Sequence, residues 1–170
     1  MCEVSMKRII AVLCIVLALG MMMSACGESS SSNKGGAGTQ VDVSLQKIFD
    51  EVKEEVNFPE MVEYTSADQL DRRYGITEDM IDDYAGGIEA ASVTTNEIVL
   101  VRAKDDAAAD EIEEKLQKRL EVLLKQSRNY LPEQAAVIEK CEVERNDRLI
   151  SLIISPDAEK ITESYHKHFI

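Results

Sequence analysis

The amino-acid sequence predicts an α+β domain: a four-stranded antiparallel sheet, covered by helices on one face and preceded by an N-terminal helical segment. Apolar residues recur at three- and four-residue steps over 106–128, which is typical of a long amphipathic helix. Two runs, 98–103 and 149–154, are predicted as central strands, and the first of them is apolar on both faces over 98–101. A short connection joins each of these runs to a weaker strand pattern, which indicates two hairpins.

The predicted strand order follows from these hairpins. The first joins a weak strand at 88–94 to the strong strand at 98–103, and the second joins an alternating pattern at 141–145 to the strong strand at 149–154 through a turn at Asn146-Asp147. Pairing the two strong strands at the centre gives the order first, second, fourth, third (1-2-4-3). The long helix then crosses one face of the sheet between the second and third strands, which makes every neighbouring pair antiparallel.

Four shorter helices, together with a turn of helix at 133–139, complete the prediction. The first begins after Ser44, a residue type that caps helices, and the second begins at a capping box over 66–69. The third begins at Thr77 and ends at the glycines 86–87, and the last follows 156–157. The apolar face of the first helix consists of Leu45, Ile48, Phe49, Val52 and Val56, and that of the last of Ala158, Ile161 and Tyr165.

The N-terminus has the pattern of a secretory signal. Lys7 and Arg8 form a short basic region, with translation beginning at Met1 or at Met6. Residues 9–23 are apolar or small throughout, a run about one signal-peptide core in length and too short for a membrane-spanning helix.

Met23-Ser24-Ala25-Cys26 closes this run and resembles the lipobox of a bacterial lipoprotein, although Met23 stands where leucine is usual. The resemblance implies that the Cys26 thiolate accepts a diacylglyceryl group as a thioether and that cleavage before Cys26 follows. The freed amine is then available for acylation, with palmitate for example. Two or three acyl chains give stable anchoring to the outer face of the cytoplasmic membrane.

Composition divides the chain into three parts: a signal peptide at 1–25, a lipidated cysteine with a flexible tether at 26–43, and a single α+β domain at 44–170. The tether is rich in serine and glycine and poor in apolar side chains. The full chain has a net charge of −13, and the chain without residues 1–25 loses two basic and one acidic side chain, which gives −14. This charge argues against nucleic-acid binding, which needs a basic face.

Few residues indicate a catalytic, redox or metal-binding role. After lipidation of Cys26, Cys141 is the remaining free cysteine, so the predicted mature chain forms no intramolecular disulfide. The single thiol argues against a dithiol redox role, and no cofactor is predicted. Cys141 is predicted to be a small buried residue of a strand. His166 and His168 are two positions apart and point to different sides of a helix, which makes them a poor metal-chelating pair. No Gly-x-Ser-x-Gly motif of a hydrolase is present.

Two further groups have a structural and a functional interpretation. An acidic group has the oxygen ligands that calcium prefers but not the spacing of an EF-hand loop, so a solvated helix face is the simpler interpretation. It consists of Glu78, Asp79, Asp82 and Asp83. Tyr64, Tyr74 and Tyr84 could line a ligand groove or pack at helix ends.

Several short motifs occur together and in order: Leu70 with Tyr74-Gly75-Ile76, residues 95–98 leading to Ala103-Lys104, and residues 130–133 at the end of the long helix. With the lipobox and the tether, they resemble an uncharacterised family of lipoproteins, classed as a domain of unknown function, from anaerobic Gram-positive bacteria. The resemblance implies an envelope lipoprotein. It carries no catalytic residues, cofactor or metal.

These patterns favour a lipid-anchored, extracytoplasmic binding or interaction domain that is not an enzyme. The anchor, the tether and the acidic domain are suited to present a surface to another envelope protein, with the exposed face of the sheet and the segment 63–87 as the surfaces to consider. A small-solute or cation-binding lipoprotein is the alternative, and a hydrolase is the third hypothesis.

Overall fold

A computed structural model describes residues 43–56, 58–90 and 96–169, which lie in one compact unit spanning 37–170. Residues 1–42 lie outside the described residues. Within the described residues, five helices and five strands form an α+β domain. The helices are α1 (Leu45–Glu55), α2 (Ala67–Tyr74), α3 (Asp106–Tyr130), α4 (Pro132–Ile138) and α5 (Ala158–His166). The strands are β1 (Met61–Glu63), β2 (Ile81–Glu89), β3 (Glu97–Ala103), β4 (Val143–Asn146) and β5 (Leu149–Ile154).

The predicted four-stranded sheet with the order 1-2-4-3 is wrong. The sheet has five strands in the order β1-β2-β3-β5-β4, and all neighbouring strands are antiparallel. The missed strand, β1, lies at the edge and pairs Val62 with Ile88 of β2. Its three residues give too short an alternation of apolar and polar side chains for sequence periodicity to detect it.

Residues 81–89 form strand β2, so the predicted helix between Thr77 and Gly86-Gly87 is also wrong; only a single 3-10 turn, Glu78–Met80, precedes the strand. The two glycines do not end a helix but let neighbouring strands approach. A Cβ atom on Gly86 would lie 2.0 Å from the carbonyl oxygen of Ile98, and the Gly86 φ of 128° is one that glycine tolerates and other residues rarely adopt. A Cβ on Gly87 would lie 2.7 Å from the carbonyl oxygen of Val62.

Helices cover both faces of the sheet, whereas the sequence predicted coverage of one face. Val99 and Val101 of β3 face a core formed with α2, α3 and α4. Ile98 and Leu100 point to the other side and pack in a second core with α1 and α5. The alternation along β3 therefore serves two cores, and the open sheet face that was predicted as a partner surface does not exist in the described part of the chain.

The helix predictions outside 77–87 are confirmed. The Ser44 hydroxyl accepts a hydrogen bond from the backbone N–H of Gln46 at 3.3 Å, and α1 buries the predicted apolar face. The capping box at the start of α2 is present, and Gly75 ends that helix with a φ of 71°. The predicted apolar stripe of α3 is buried or half-buried in the core, and the middle of α3, with Arg119, lies beside Tyr74 of α2.

Candidate functional site

The predicted lipidation residue Cys26 and its cleavage flank, Met23, Ser24 and Ala25, lie outside the described residues. Their roles therefore stay predictions. Within the part of the chain that the structure describes, none of the helices has the length and apolar character needed to cross a bilayer.

The two histidines contact different residues. His166 Nε2 is 2.7 Å from a carboxylate oxygen of Glu144, and His168 Nδ1 is 3.4 Å from a carboxylate oxygen of Glu51. Because each ring contacts a different carboxylate, the pair does not converge on one point. Residues 43–56, 58–90 and 96–169 contain no group of three or more His, Cys, Asp or Glu side chains arranged to hold a metal ion.

The acidic residues around β2 have structural partners. Asp83 accepts a hydrogen bond from the backbone N–H of Leu45 at 2.7 Å, which ties the start of α1 to the sheet, and Asp82 pairs with Arg148 at 3.2 Å. Asp79 accepts from the Thr77 side chain, and this bond and its own backbone N–H lower its pKa. The interpretation of this group as one solvated helix face is wrong, because it spans a 3-10 turn and a strand.

Cys141 lies in the link before β4 rather than in a strand. Its half-buried thiol donates a hydrogen bond to the Val137 carbonyl oxygen at 3.3 Å. Burial raises the pKa of the thiol, so the sulfur is protonated and poorly nucleophilic at neutral pH. Cys141 therefore packs as a small side chain.

Two of the three tyrosines meet. The hydroxyls of Tyr64 and Tyr74 share a hydrogen bond, and their rings pack edge to face with centroids 6.2 Å apart. Burial raises the pKa of both hydroxyls, and the nearby negative charge of Glu97 raises both further. Both hydroxyls therefore stay protonated, and one donates to the other. Tyr84 is half-buried and packs against the core on the α3 side instead.

A buried ion pair lies beside these tyrosines, and the sequence analysis missed it. Arg119 of α3 donates two hydrogen bonds to Glu97 of β3, at 3.0 and 2.7 Å, and its guanidinium lies 6.0 Å from the centre of the Tyr74 ring. The Glu97 side chain is 3% exposed. Burial disfavours the charge of Arg119, but the bonds to Glu97 outweigh that penalty and raise its pKa. Twenty-two residues separate the pair, so no local pattern connects them.

Tyr64 and Arg119 also line a surface cleft of about 440 Å³. We call it the arginine cleft. It is lined by Val62, Tyr64, Gln69, Arg72, Arg73, Ile88 and Arg119. Strands β1 and β2 supply the apolar wall, α2 supplies Gln69 and the two adjacent arginines, and α3 supplies Arg119. The cleft thus falls largely within the segment 63–87 that the sequence singled out.

Arg72 and Arg73 are exposed, and their side chains have no hydrogen bond or ion pair with any residue that the structure describes. Every other described arginine contacts a carboxylate: Arg102, Arg119, Arg128, Arg145 and Arg148. The chain carries 32 acidic and 19 basic side chains, so carboxylate partners are abundant. Two arginines left unpaired at the mouth of one cleft are therefore a distinguishing feature of this surface.

Two other clefts, of about 670 and 560 Å³, border β4 and α5. Some of their charged groups pair with other side chains: Glu144 contacts His166, and Arg145 contacts Asp110 and Glu113. Both clefts are also lined by Glu142, and the smaller one by Glu159 and Glu163, so carboxylates lie in both clefts, whereas none lines the arginine cleft.

Comparison with known proteins identifies the family to which the chain belongs. The model of the family described as Domain of unknown function (DUF4358) matches residues 54–155. The chain belongs to this DUF4358 family. No curated protein and no solved structure matches the chain. The expectation of an uncharacterised domain is confirmed, whereas its lipoprotein nature and bacterial source stay predictions.

The matched DUF4358 segment contains the whole sheet and all seven residues of the arginine cleft. It ends before α5, so His166 and His168 lie outside it. The cleft is therefore a feature of the DUF4358 domain itself and not of the C-terminal helix that follows it.

Proposed function

We propose that this DUF4358 protein is a lipid-anchored, non-enzymatic binding domain on the outer face of the bacterial cytoplasmic membrane, and that another envelope protein binds in its arginine cleft. One observation supports the binding surface above all: among the described residues, Arg72 and Arg73 have no carboxylate partner, whereas every other described arginine has one. Hydrated guanidinium groups next to an apolar wall are typical of surfaces that bind anionic partners.

The chemistry of the cleft favours binding over catalysis. A hydrolase needs a free general base or an activated nucleophile within reach of the substrate. Glu97 is held by two hydrogen bonds from Arg119, and the raised pKa values of Tyr64 and Tyr74 keep both hydroxyls protonated. Arginine side chains hold their protons at every physiological pH. These groups can orient an anion but cannot readily remove a proton.

The anchoring part of the proposal rests on Met23-Ser24-Ala25-Cys26 and the apolar run before it. When the protein is produced in a Gram-positive host and labelled with radioactive palmitate, we expect label on the wild type and none on Cys26→Ser, because the thioether forms at this sulfur. Cys14→Ser is the matched control, since it changes a cysteine of the same signal segment and should stay labelled. Label on Cys26→Ser, or its loss from Cys14→Ser, contradicts lipidation at Cys26.

The binding part is tested by photo-cross-linking in the native membrane. We expect a photoreactive residue at Val62 to capture one envelope protein, because Val62 is 50% exposed and lines the arginine cleft. Val122 on α3 is the matched control: it is 41% exposed and lies outside the cleft. Mass spectrometry identifies the captured protein. The same products from Val62 and Val122, or no product from Val62, would refute a partner at the cleft.

A small-solute-binding lipoprotein is the second candidate. The observation in its favour is the volume of the cleft, about 440 Å³, which lies within the range of small-molecule sites. A solute that binds the folded state raises the midpoint of thermal unfolding as its concentration rises. Such a rise, together with the absence of a Val62 cross-link, distinguishes this candidate from a protein partner.

A further inference from the structure

We propose that the arginine cleft recognises the carboxyl terminus of a partner polypeptide that ends in an aliphatic residue. This inference rests on the proposed function and adds to it the chemistry of the partner. It follows from the free polar groups of the cleft, its apolar wall, the open edge of β1 and the charge of the chain.

The free polar groups that line the cleft are hydrogen-bond donors. Gln69 Oε1 accepts from the backbone N–H groups of Thr65 and Ser66 at 2.6 and 3.1 Å, which leaves its Nε2 amide as the free end. Arg119 uses Nε and one terminal nitrogen for Glu97, and its other terminal nitrogen has no hydrogen-bond acceptor in the described ranges. Arg72 and Arg73 contribute two whole guanidinium groups.

The tyrosine pair adds one more donor. Tyr64 and Tyr74 have one hydroxyl proton each, and the hydrogen bond that joins them uses only one of the two. The hydroxyl that accepts this bond therefore keeps a proton that has no acceptor among the described residues. When Tyr74 donates, that proton belongs to Tyr64, which lines the cleft. A ligand complementary to such a surface carries only acceptors, and a carboxylate has two oxygens and no proton to donate at neutral pH.

The opposite wall is aliphatic. Val62 and Ile88 face each other across the β1–β2 ladder and both line the cleft. Val62 is half exposed, so covering it removes apolar surface from water and stabilises a complex. A ligand that contacts both walls therefore has an aliphatic group close to its carboxylate, as the last residue of a polypeptide has.

The edge strand favours a peptide over a free organic acid. β1 is the last strand on its side of the sheet. Tyr64 N–H donates to the Gly86 carbonyl, and Ala90 N–H donates to the Glu60 carbonyl. In this antiparallel register the backbone groups of Met61 and Glu63 point away from β2 and have no hydrogen-bond partner among the described residues. An extended peptide can pair with them while its end enters the cleft.

The charge of the chain favours a monoanion. A net charge of −13 repels ligands in proportion to their own negative charge. Two unpaired guanidiniums offset that repulsion locally for one carboxylate. A phosphate, which carries more charge, is repelled more strongly at a distance. We therefore assign the cleft to a carboxylate.

The test compares two peptides that differ in one group. Isothermal titration of the lipidated protein in phosphatidylcholine vesicles, with empty vesicles as the blank, uses N-acetyl-Val-Leu with a free carboxylate and the same dipeptide as its C-terminal amide. We expect the acid to bind saturably and about tenfold or more tightly than the amide, which corresponds to one charge-assisted hydrogen bond. Equal affinities, or no binding of the acid, overturn the proposal.

A charge-matched pair of variants shows whether the arginines are responsible. Arg72→Gln/Arg73→Gln should weaken acid binding about tenfold or more and leave the amide unchanged, with circular dichroism showing retained folding. Lys118→Gln/Lys125→Gln removes the same charge from exposed positions of α3 outside the cleft and should bind like the wild type. Equal losses in both variants indicate general electrostatics and contradict the assignment.

Two further ligands test the source of the anion. 4-Methylpentanoate has the aliphatic group and the carboxylate but no peptide backbone, and isopentyl phosphate replaces the carboxylate. We expect both to bind more weakly than the dipeptide acid. Tighter binding of either one overturns the assignment to a peptide carboxyl terminus. A Val62 cross-link that persists in that case shows that only the ligand chemistry is wrong and that a protein partner at the cleft still stands.

Discussion

Gly86→Ala is expected to leave the domain largely unfolded at room temperature. The added Cβ atom would lie 2.0 Å from the Ile98 carbonyl oxygen in the middle of the β2–β3 ladder, and the φ of 128° strains any residue with a Cβ. Backbone atoms of a central strand cannot move aside as a flexible side chain can. We expect a loss of about 5 kcal/mol or more, which equals the whole free energy of unfolding of a domain at the lower end of the usual range of about 5–15 kcal/mol. Urea unfolding of the unlipidated chain from residue 27, followed by circular dichroism, measures it.

Gly75→Ala is the matched control for this prediction. Gly75 also has a positive φ, of 71°, but the nearest atom to its added Cβ is the terminal nitrogen of Lys115 at 3.6 Å. Only conformational strain opposes the change, so the expected cost is about 1 kcal/mol. A Gly86→Ala variant that unfolds at the same urea concentration as Gly75→Ala would show that β2 and β3 are not packed as described.

Glu97→Ala should lose about 3 kcal/mol of unfolding free energy, because it leaves the Arg119 guanidinium desolvated beside two buried tyrosines without its counter-charge. Water does not simply take the place of the removed carboxylate, since the Glu97 side chain is 3% exposed. Chemical unfolding of the single variant against wild type gives this value. The result matters for the cleft because this pair positions Arg119 in its wall.

A double-mutant cycle separates the ion pair from the packing around it. Glu97→Leu/Arg119→Met replaces both partners with apolar side chains of similar length. Because no unpaired charge is then left, the free energy of unfolding of this double variant should be only about 1 kcal/mol below that of the wild type. A double variant as unstable as the sum of Glu97→Leu and Arg119→Met singly would mean that the two residues are not coupled.

Sequence periodicity predicted the helices where local physics decides the outcome. Ser44, the box at 66–69 and the apolar stripe of α3 act within one or two helical turns, and their patterns are visible without the rest of the fold. The two strong strands were visible for a similar reason, because a run such as 98–101 is buried from both sides. That same burial pointed to helices on two faces, an inference that the sequence analysis did not draw.

The errors came from positions where tertiary contacts override local signals. A Gly-Gly pair often ends a helix. Here Gly86 and Gly87 are required because β3 and β1 approach their backbone closely, which no local pattern reveals. β1 is a strand because of its pairing with β2. Because most of 81–89 was predicted to be helical, the predicted sheet lacked most of the strand with which β1 pairs.

The candidate site was only half predictable. The segment 63–87 and the tyrosines were identified, but the cleft depends on Arg119, which is 46 positions along the chain from Arg73 and reaches it only because α3 packs beside α2. The pairing of Glu97 with Arg119 explains why Arg119 is held in place while its two neighbours stay free. A charge count cannot show this distinction, because it treats all arginines alike.

The most direct test of the account is the Val62 cross-link measured in two backgrounds, wild type and Arg72→Gln/Arg73→Gln, in the native membrane. We predict that the wild type captures one envelope protein and that the yield falls about tenfold or more in the arginine variant, since the variant loses the charged hydrogen bonds that hold the partner. Lys118→Gln/Lys125→Gln should keep the wild-type yield. An undiminished Val62 cross-link in the arginine variant would contradict the claim that the arginine cleft binds the partner.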